Sequence, residues 1–231
     1  FGPGTKAGGP NYISQFSHLK QLHLPQEVAP LSPLVEKFSR FVETMPLSSE
    51  ERALWKSSLL SYSFWSKKFS HEEDVSKVLG QDNLFFYRKF PGIVFRVDVL
   101  SKPLDILRVC AAALCCKTTL QISFCRQETS FSFDAPLKKL LPLFKIVQES
   151  NTHFLERVKL GSFKRIRLVS PPSSSLQLAA QSGFCPIISA PVLASGRFEL
   201  LHYLQEVALS SDYHRYGNLG VREGEIRTKI L

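Results

Sequence analysis

The stretch GIVFRVDVLSKPLDILRVCAAALCCKTTLQISF, residues 92–124, decides the fold. Ile93 to Leu100 is rich in β-branched and aromatic residues and follows a Pro91-Gly92 turn, so it reads as a strand. Pro103 stands where a helix tolerates proline, in the first turn, and the apolar run from there to Cys116 predicts a buried helix. Thr118–Phe124 returns to strand-forming residues. A strand, a helix and a second strand within roughly 30 residues make a βαβ unit, in which the strands are parallel.

Downstream the alternation continues. We expect a helix at Pro136–Gln148, a short helix near Phe154, a strand at Arg165–Val169, a helix at Ser173–Gln181 and a strand at Pro186–Ser189. The class is therefore α/β, a Rossmann-like open, mainly parallel sheet covered on both faces. Leu84 to Phe90 forms a further strand, separated from the Ile93 strand by the Pro91-Gly92 turn.

Upstream, Leu34, Val35, Phe38, Phe41, Val42 and Met45 lie at helical spacing, and Pro46 ends that helix. Ser48 followed by Glu51 is a capping box. The helix it opens carries Trp55, Leu59, Tyr62 and Trp65 to about Phe69. The two make a helical hairpin, behind a proline-containing linker from His23 to Pro33 and a glycine-rich start over residues 1–11. At the other end, Phe198 to Leu204 is helical or extended and Gln205 to Tyr213 is a strand. Gly217-Asn218-Leu219-Gly220 is a turn, and Glu223 to Leu231 a charged, loose tail.

With 231 residues, 44% hydrophobic, the chain can bury a core without disulfides or metals. Its five cysteines, Cys110, Cys115, Cys116, Cys125 and Cys185, include no C-x-x-C and no histidine at ligand spacing, which argues against zinc. They read as reduced, buried thiols of a cytoplasmic protein. No apolar run reaches the roughly 20 residues of a membrane span, and no signal peptide is visible. The chain starts at Phe1 without an initiator methionine, so we expect a segment of a longer polypeptide. The net charge of +9 invites a polyanion partner. The cations are dispersed, however, so nucleic-acid binding is not the expectation; a stand-alone basic α/β binding module for a polyanion or protein partner is the alternative reading.

The motifs that suggest chemistry fail on context. Gly2, Gly4 and Gly8 are not preceded by a strand, and their spacing misses the dinucleotide fingerprint. Asp98 to Pro103, after the Ile93 strand, lacks the glycines that bring backbone to a pyrophosphate. In Ser210-Ser211-Asp212-Tyr213-His214, Asp212 and His214 can share a strand face, but no triad follows. The aromatic and cationic run Phe85 to Phe90 lacks the glycines of RNA-binding strands and reads as a buried edge strand.

Two stretches are more specific. Gly4-Thr5-Lys6-Ala7-Gly8-Gly9-Pro10-Asn11-Tyr12-Ile13 resembles the end of the catalytic domain of L-glutamate γ-semialdehyde (1-pyrroline-5-carboxylate) dehydrogenases, members of the aldehyde dehydrogenase superfamily. It looks most like the bifunctional proline utilization A proteins, which join this enzyme to proline dehydrogenase. Tyr203 to Asn218 is similar to the C-terminal flap of the same family. Residues 80–97 resemble the start of its accessory domain, an aldehyde-dehydrogenase-like fold without catalytic residues. The flap departs from the family pattern in that Asp212 to Tyr216 are bulkier and more polar.

The resemblance implies an organisation and a set of roles. Residues 1–22 would end the catalytic domain, 23–80 form a linker and the helical hairpin, 81–200 the Rossmann-like accessory domain, and 201–231 the flap and tail. Gly8 and Gly9 would offer backbone N–H groups to the substrate's carboxylate, with Phe16 packing on the substrate chain. Val207, Leu209, Tyr213, Gly217 and Asn218 would form the interface flap of an oligomer. The catalytic cysteine, the general base and the NAD site would lie upstream of Phe1, in a catalytic domain that is this segment's partner. FAD would serve a fused proline dehydrogenase; no cofactor and no metal would bind this segment itself.

Overall fold

The computed structural model describes residues 6–125, 144–214 and 217–226. In chain order its elements are α1 (Pro33–Glu43), α2 (Ser49–Lys68), β1 (Gln81–Lys89), β2 (Ile93–Val97), α3 (Pro103–Cys115), β3 (Leu120–Phe124), β4 (Phe144–Gln148), α4 (Asn151–Lys159), β5 (Ile166–Arg167), α5 (Ser174–Ser182), β6 (Ile187–Ile188), α6 (Gly196–Glu199) and β7 (Leu204–Asp212). Short 3-10 turns lie at Tyr12–Phe16, Leu200–His202 and Gly220–Arg222. The chain divides into two compact units, one of His18–Ser66 and Lys89–Leu204, the other of Phe1–Ser17, Lys67–Arg88 and Gln205–Leu231.

The larger unit holds a five-stranded parallel sheet in the order β4-β3-β2-β5-β6. Its register pairs Ile93 with Leu120, Leu120 with Phe144, Val94 with Ile166 and Ile166 with Ile187. The chain builds outward from β2 in one direction, then returns to build in the other, which is the winding of a doubly wound, Rossmann-like sheet. All five β2 residues are buried because helices cover both faces of the sheet. On one face Val94 and Ile166 meet Phe154 and Val158 of α4 and Leu176 of α5. On the other, α1 packs against α3, and the Phe38 ring meets Phe144 edge-on at 6.2 Å and Trp55 of α2 at 5.9 Å. The hairpin helices thus spend their apolar stripe on this core.

The capping box is present as expected: the Ser48 N–H donates to Glu51 at 2.8 Å and the Glu51 N–H to the Ser48 hydroxyl at 3.2 Å. In α1 Val35, Phe38 and Val42 are buried, but Leu34 is 41% exposed and does not join the stripe.

Two expectations are corrected. Phe144–Gln148 is a strand, not the end of a helix, so the sheet has five strands where the sequence suggested four. Five residues with apolar Phe144, Ile146 and Val147 carry too little periodicity to separate helix from strand, and pairing with the open edge of β3 decides it. The rest of that expected helix, Pro136 to Leu143, lies outside the described residues. The second concerns Pro91-Gly92, which does not join a paired hairpin. Both edges of β2 are taken by β3 and β5, while β1 pairs with β7. Phe198 to Leu204 is largely helical, in α6 and the 3-10 turn after it.

In the smaller unit β1 and β7 form a two-stranded sheet. They run antiparallel, since Gly80 meets Tyr213, Gln81 meets Asp212 and Asn83 meets Ser210 in opposite chain senses. Glu73 adds one antiparallel bridge to Phe85 on the outer side of β1. One face of β1 is aromatic: Tyr87 lies 4.3 Å from Phe69 and 5.3 Å from Phe85, ring centre to ring centre. No helix among the described residues is long and apolar enough to cross a membrane.

Candidate functional site

The glycine loop of the smaller unit is built from Lys6 outward. The Gly9 N–H donates to the Lys6 carbonyl at 2.9 Å, closing a four-residue turn. Gly8, third in that turn, has φ +75°, the left-handed value that a type II turn demands there and glycine supplies without strain. Among the described residues, none apart from its chain neighbours has a heavy atom within 4 Å of where a Gly8 side chain would start, so this face of the turn is open to them. At Gly9 a Cβ would come 3.0 Å from the Lys6 carbonyl oxygen and 3.3 Å from a Glu206 carboxylate oxygen. That face is closed.

Glu206, on β7, is 4% exposed and closes it. Its Oε2 accepts the Lys6 backbone N–H at 2.5 Å, and its Oε1 accepts Asn11 Nδ2 at 2.8 Å. The second amide hydrogen of Asn11 goes to the Tyr87 hydroxyl at 2.7 Å. A buried carboxylate is costly without partners, and here the loop supplies them. Of the two glycines expected to face a ligand, Gly9 has its N–H committed within the turn; Gly8 carries the open side. Phe16 is 74% exposed and meets Tyr12 edge-on at 5.2 Å.

The flap residues separate by face. Val207 and Leu209 alternate with Glu206 along β7, and Leu209 is 53% exposed. The Tyr213 hydroxyl accepts the Gly80 N–H at 3.0 Å, and the Arg222 guanidinium stacks on the Tyr213 ring at 3.8 Å. Arg222 also grips Asp82 with two nitrogens, at 2.8 and 3.2 Å. Gly217 has φ +82°, and the Asn218 side chain accepts the Gly220 N–H at 2.6 Å. The polar run before it serves the sheet: Ser210 bonds Asn83, Asp212 accepts from Gln81, and His214 Nδ1 lies 3.1 Å from the Gly80 carbonyl. Sequence reasoning missed Asn11, Tyr87 and Glu206; the one hint was an acid inside the strand-forming run Leu204 to Leu209.

In the larger unit the place to look for a nucleotide is the C-terminal edge of the sheet between β2 and β5, where the strand order reverses. Asp98 stands there. It accepts the Leu100 N–H and the Ser101 hydroxyl, both at 2.9 Å, and the Ser170 hydroxyl also donates to it. A carboxylate held in this position repels a pyrophosphate, so these residues do not fit a dinucleotide. Alongside, Arg96 donates to Ser123 at 2.8 Å and lies 4.8 Å over the Phe154 ring. Glu149 accepts from Ser123 at 2.7 Å and from Arg157 at 2.9 Å. This edge is filled by the protein's own polar groups.

Burial pushes the thiols of Cys110 and Cys115 up to about 12 and that of Cys185 up to about 11. They stay protonated at neutral pH, and a thiol in that state is a poor nucleophile. Among the described residues no group of histidine, cysteine and acid side chains could hold a metal ion.

No protein-family model and no curated protein sequence matches the chain. Solved structures do. Proline utilization A from Corynebacterium freiburgense superposes with a TM-score of 0.59 and 25% identity, over 94% of this chain and 18% of that one. The fold is of the aldehyde dehydrogenase type. Lactaldehyde dehydrogenase from Escherichia coli (TM-score 0.44, 15% identity) covers 67% of this chain and 37% of its own. Betaine aldehyde dehydrogenase from Staphylococcus aureus, solved with NAD+, has a TM-score of 0.42 and 10% identity over 67% of this chain and 34% of that one. The chain therefore spans under a fifth of the proline utilization A protein and under two fifths of the two dehydrogenases. The resemblance noted in the sequence and the aldehyde-dehydrogenase-type fold point to the same superfamily.

Proposed function

We infer that this chain acts as the C-terminal, non-catalytic part of an NAD-dependent L-glutamate γ-semialdehyde dehydrogenase of proline catabolism, of the kind fused to a flavin-dependent proline dehydrogenase. The observation that carries this reading is the turn at Lys6 to Gly9. One side is closed by Glu206 and the other, at Gly8, is open for backbone N–H groups to meet an anion. Hydrogen bonds to a charged group contribute about 1.5–3 kcal/mol each, enough to select a substrate with a second carboxylate without performing any chemistry. The similarity to proline utilization A over most of this chain supports the same substrate class.

In such an enzyme a cysteine thiolate of the catalytic domain adds to the aldehyde, hydride passes to NAD, and water releases glutamate from the thioester. The raised thiol values at Cys110, Cys115 and Cys185 suit none of these cysteines to that role. The carboxylate at Asp98 likewise supports an NAD site elsewhere than in this chain's own sheet. The β7 strand would serve as the flap, pairing with the catalytic domain and between protomers in the cytoplasm.

The test is a chimera in which this chain replaces the matching C-terminal region of the Corynebacterium freiburgense protein. Semialdehyde-dependent NAD reduction is expected from the chimera and none from the 231-residue chain alone. NAD reduction by the chain alone would refute the assignment, as would a folded chimera without semialdehyde oxidation.

A further inference from the structure

The arrangement around Glu206 extends the reading above and rests on it. The loop that would receive the substrate's carboxylate is not self-supporting. Within it the Gly9 N–H to Lys6 carbonyl bond closes the turn, and the Ser14 hydroxyl donates to the Asn11 carbonyl at 2.6 Å. Among the described residues, a buried carboxylate ties both ends of the loop to β7. Glu206 takes the Lys6 N–H at the start of the turn and the Asn11 side chain at its end, 2.5 and 2.8 Å away. Asn11, itself 3% exposed, passes the restraint to Tyr87 on β1.

We propose that Glu206 is a positioning residue: it presets the anchor loop for a carboxylate-bearing substrate, and so makes substrate affinity depend on how β7 is docked. Two consequences follow from its geometry. Its negative charge sits 3.3 Å from where a Gly9 side chain would begin, so that face of the turn rejects an anion and the Gly8 face is left to receive one. Its strand neighbours Val207 and Leu209 alternate with it and so point away from the loop, and whatever β7 pairs with on that face is coupled to the anchor through Glu206. A loop already held in place loses less freedom on binding, which is where the affinity arises.

Amide hydrogen exchange of the 231-residue chain tests the positioning directly. In Glu206→Ala the Gly9 amide is expected to exchange about tenfold faster or more, with Glu206→Gln, which keeps one of the two acceptor oxygens, recovering part of the protection. The Phe85 amide, paired with Glu73 in the same unit at 2.8 Å, is the control and should be unchanged. An unchanged Gly9 amide, or equal loss at Phe85, overturns the proposal.

Kinetics of the same variants in the chimera separate this idea from the function it rests on. The expected pattern is a KM for L-glutamate γ-semialdehyde raised about tenfold in Glu206→Ala, kcat within about twofold, and no change for propanal, which lacks the second carboxylate. Faster loop exchange with an unaltered KM would uphold the positioning and sink the anchor reading. A fall in kcat for both aldehydes alike would sink the positioning role.

Discussion

Phe184 is held with φ +49°, and 94% of its surface faces solvent. It follows the Gly183 that ends α5, in the place where helices commonly accept a left-handed residue, and glycine is the usual choice there. Glycine has been placed one residue earlier because a Cβ at Gly183 would lie 1.9 Å from the Val158 carbonyl oxygen. Close packing of α5 on α4 therefore fixes Gly183 and leaves the strained position to an aromatic. Phe184→Gly is expected to stabilise the chain by about 0.5–1 kcal/mol, because strain is removed and almost no packing is lost. In a thermal melt this is a rise of about 2–4 °C; a lower midpoint would show that the ring contributes contacts of its own.

At the scale of the element, α2 shows what local sequence can dictate. Its two reciprocal bonds between Ser48 and Glu51 satisfy backbone donors that have no partner within the helix, at an exposed helix start. Ser48→Ala should cost about 1 kcal/mol in a urea titration, and Ser48→Asp should cost much less, since aspartate caps as well. Equal losses in both variants would mean that the box contributes nothing to α2. β4 is the opposite case. Nothing in Phe144 to Gln148 marks it as a strand apart from its neighbours, and the register with β3 is a property of the pair.

Across the larger unit the interior holds charge. Arg167 and Glu199, 1% and 0% exposed at their side chains, meet at 3.2 Å. Glu199 also accepts the Leu193 N–H at 2.9 Å and the Tyr203 hydroxyl at 3.1 Å. Burial by itself would raise the Glu199 carboxyl, but Arg167 and its other partners hold it below its ordinary value. Burial pushes His202 down to about 4 from an ordinary 6.5. Both groups bind a proton less readily folded than unfolded, so the stability they contribute is lost as pH falls. The His202 share is complete above pH 6.5 and disappears towards pH 4, a change of about 1–3 kcal/mol. Urea midpoints measured from pH 7 to pH 4 should fall steadily, and His202→Gln should flatten that slope. A slope identical in the variant would remove His202 from the account.

What the sequence alone determined is local or periodic. The βαβ order of residues 92–124 and the capping box at Ser48 both show in patterns along the chain itself. The strand order, the place of Phe144 to Gln148 and the separation of β1 from β2 depend on which edges are open, and only the assembled sheet decides that. Glu206 belongs to the same class. It lies 200 residues from the loop it holds, and no pattern along a chain can say that a buried acid will find its hydrogen-bond donors at the far end.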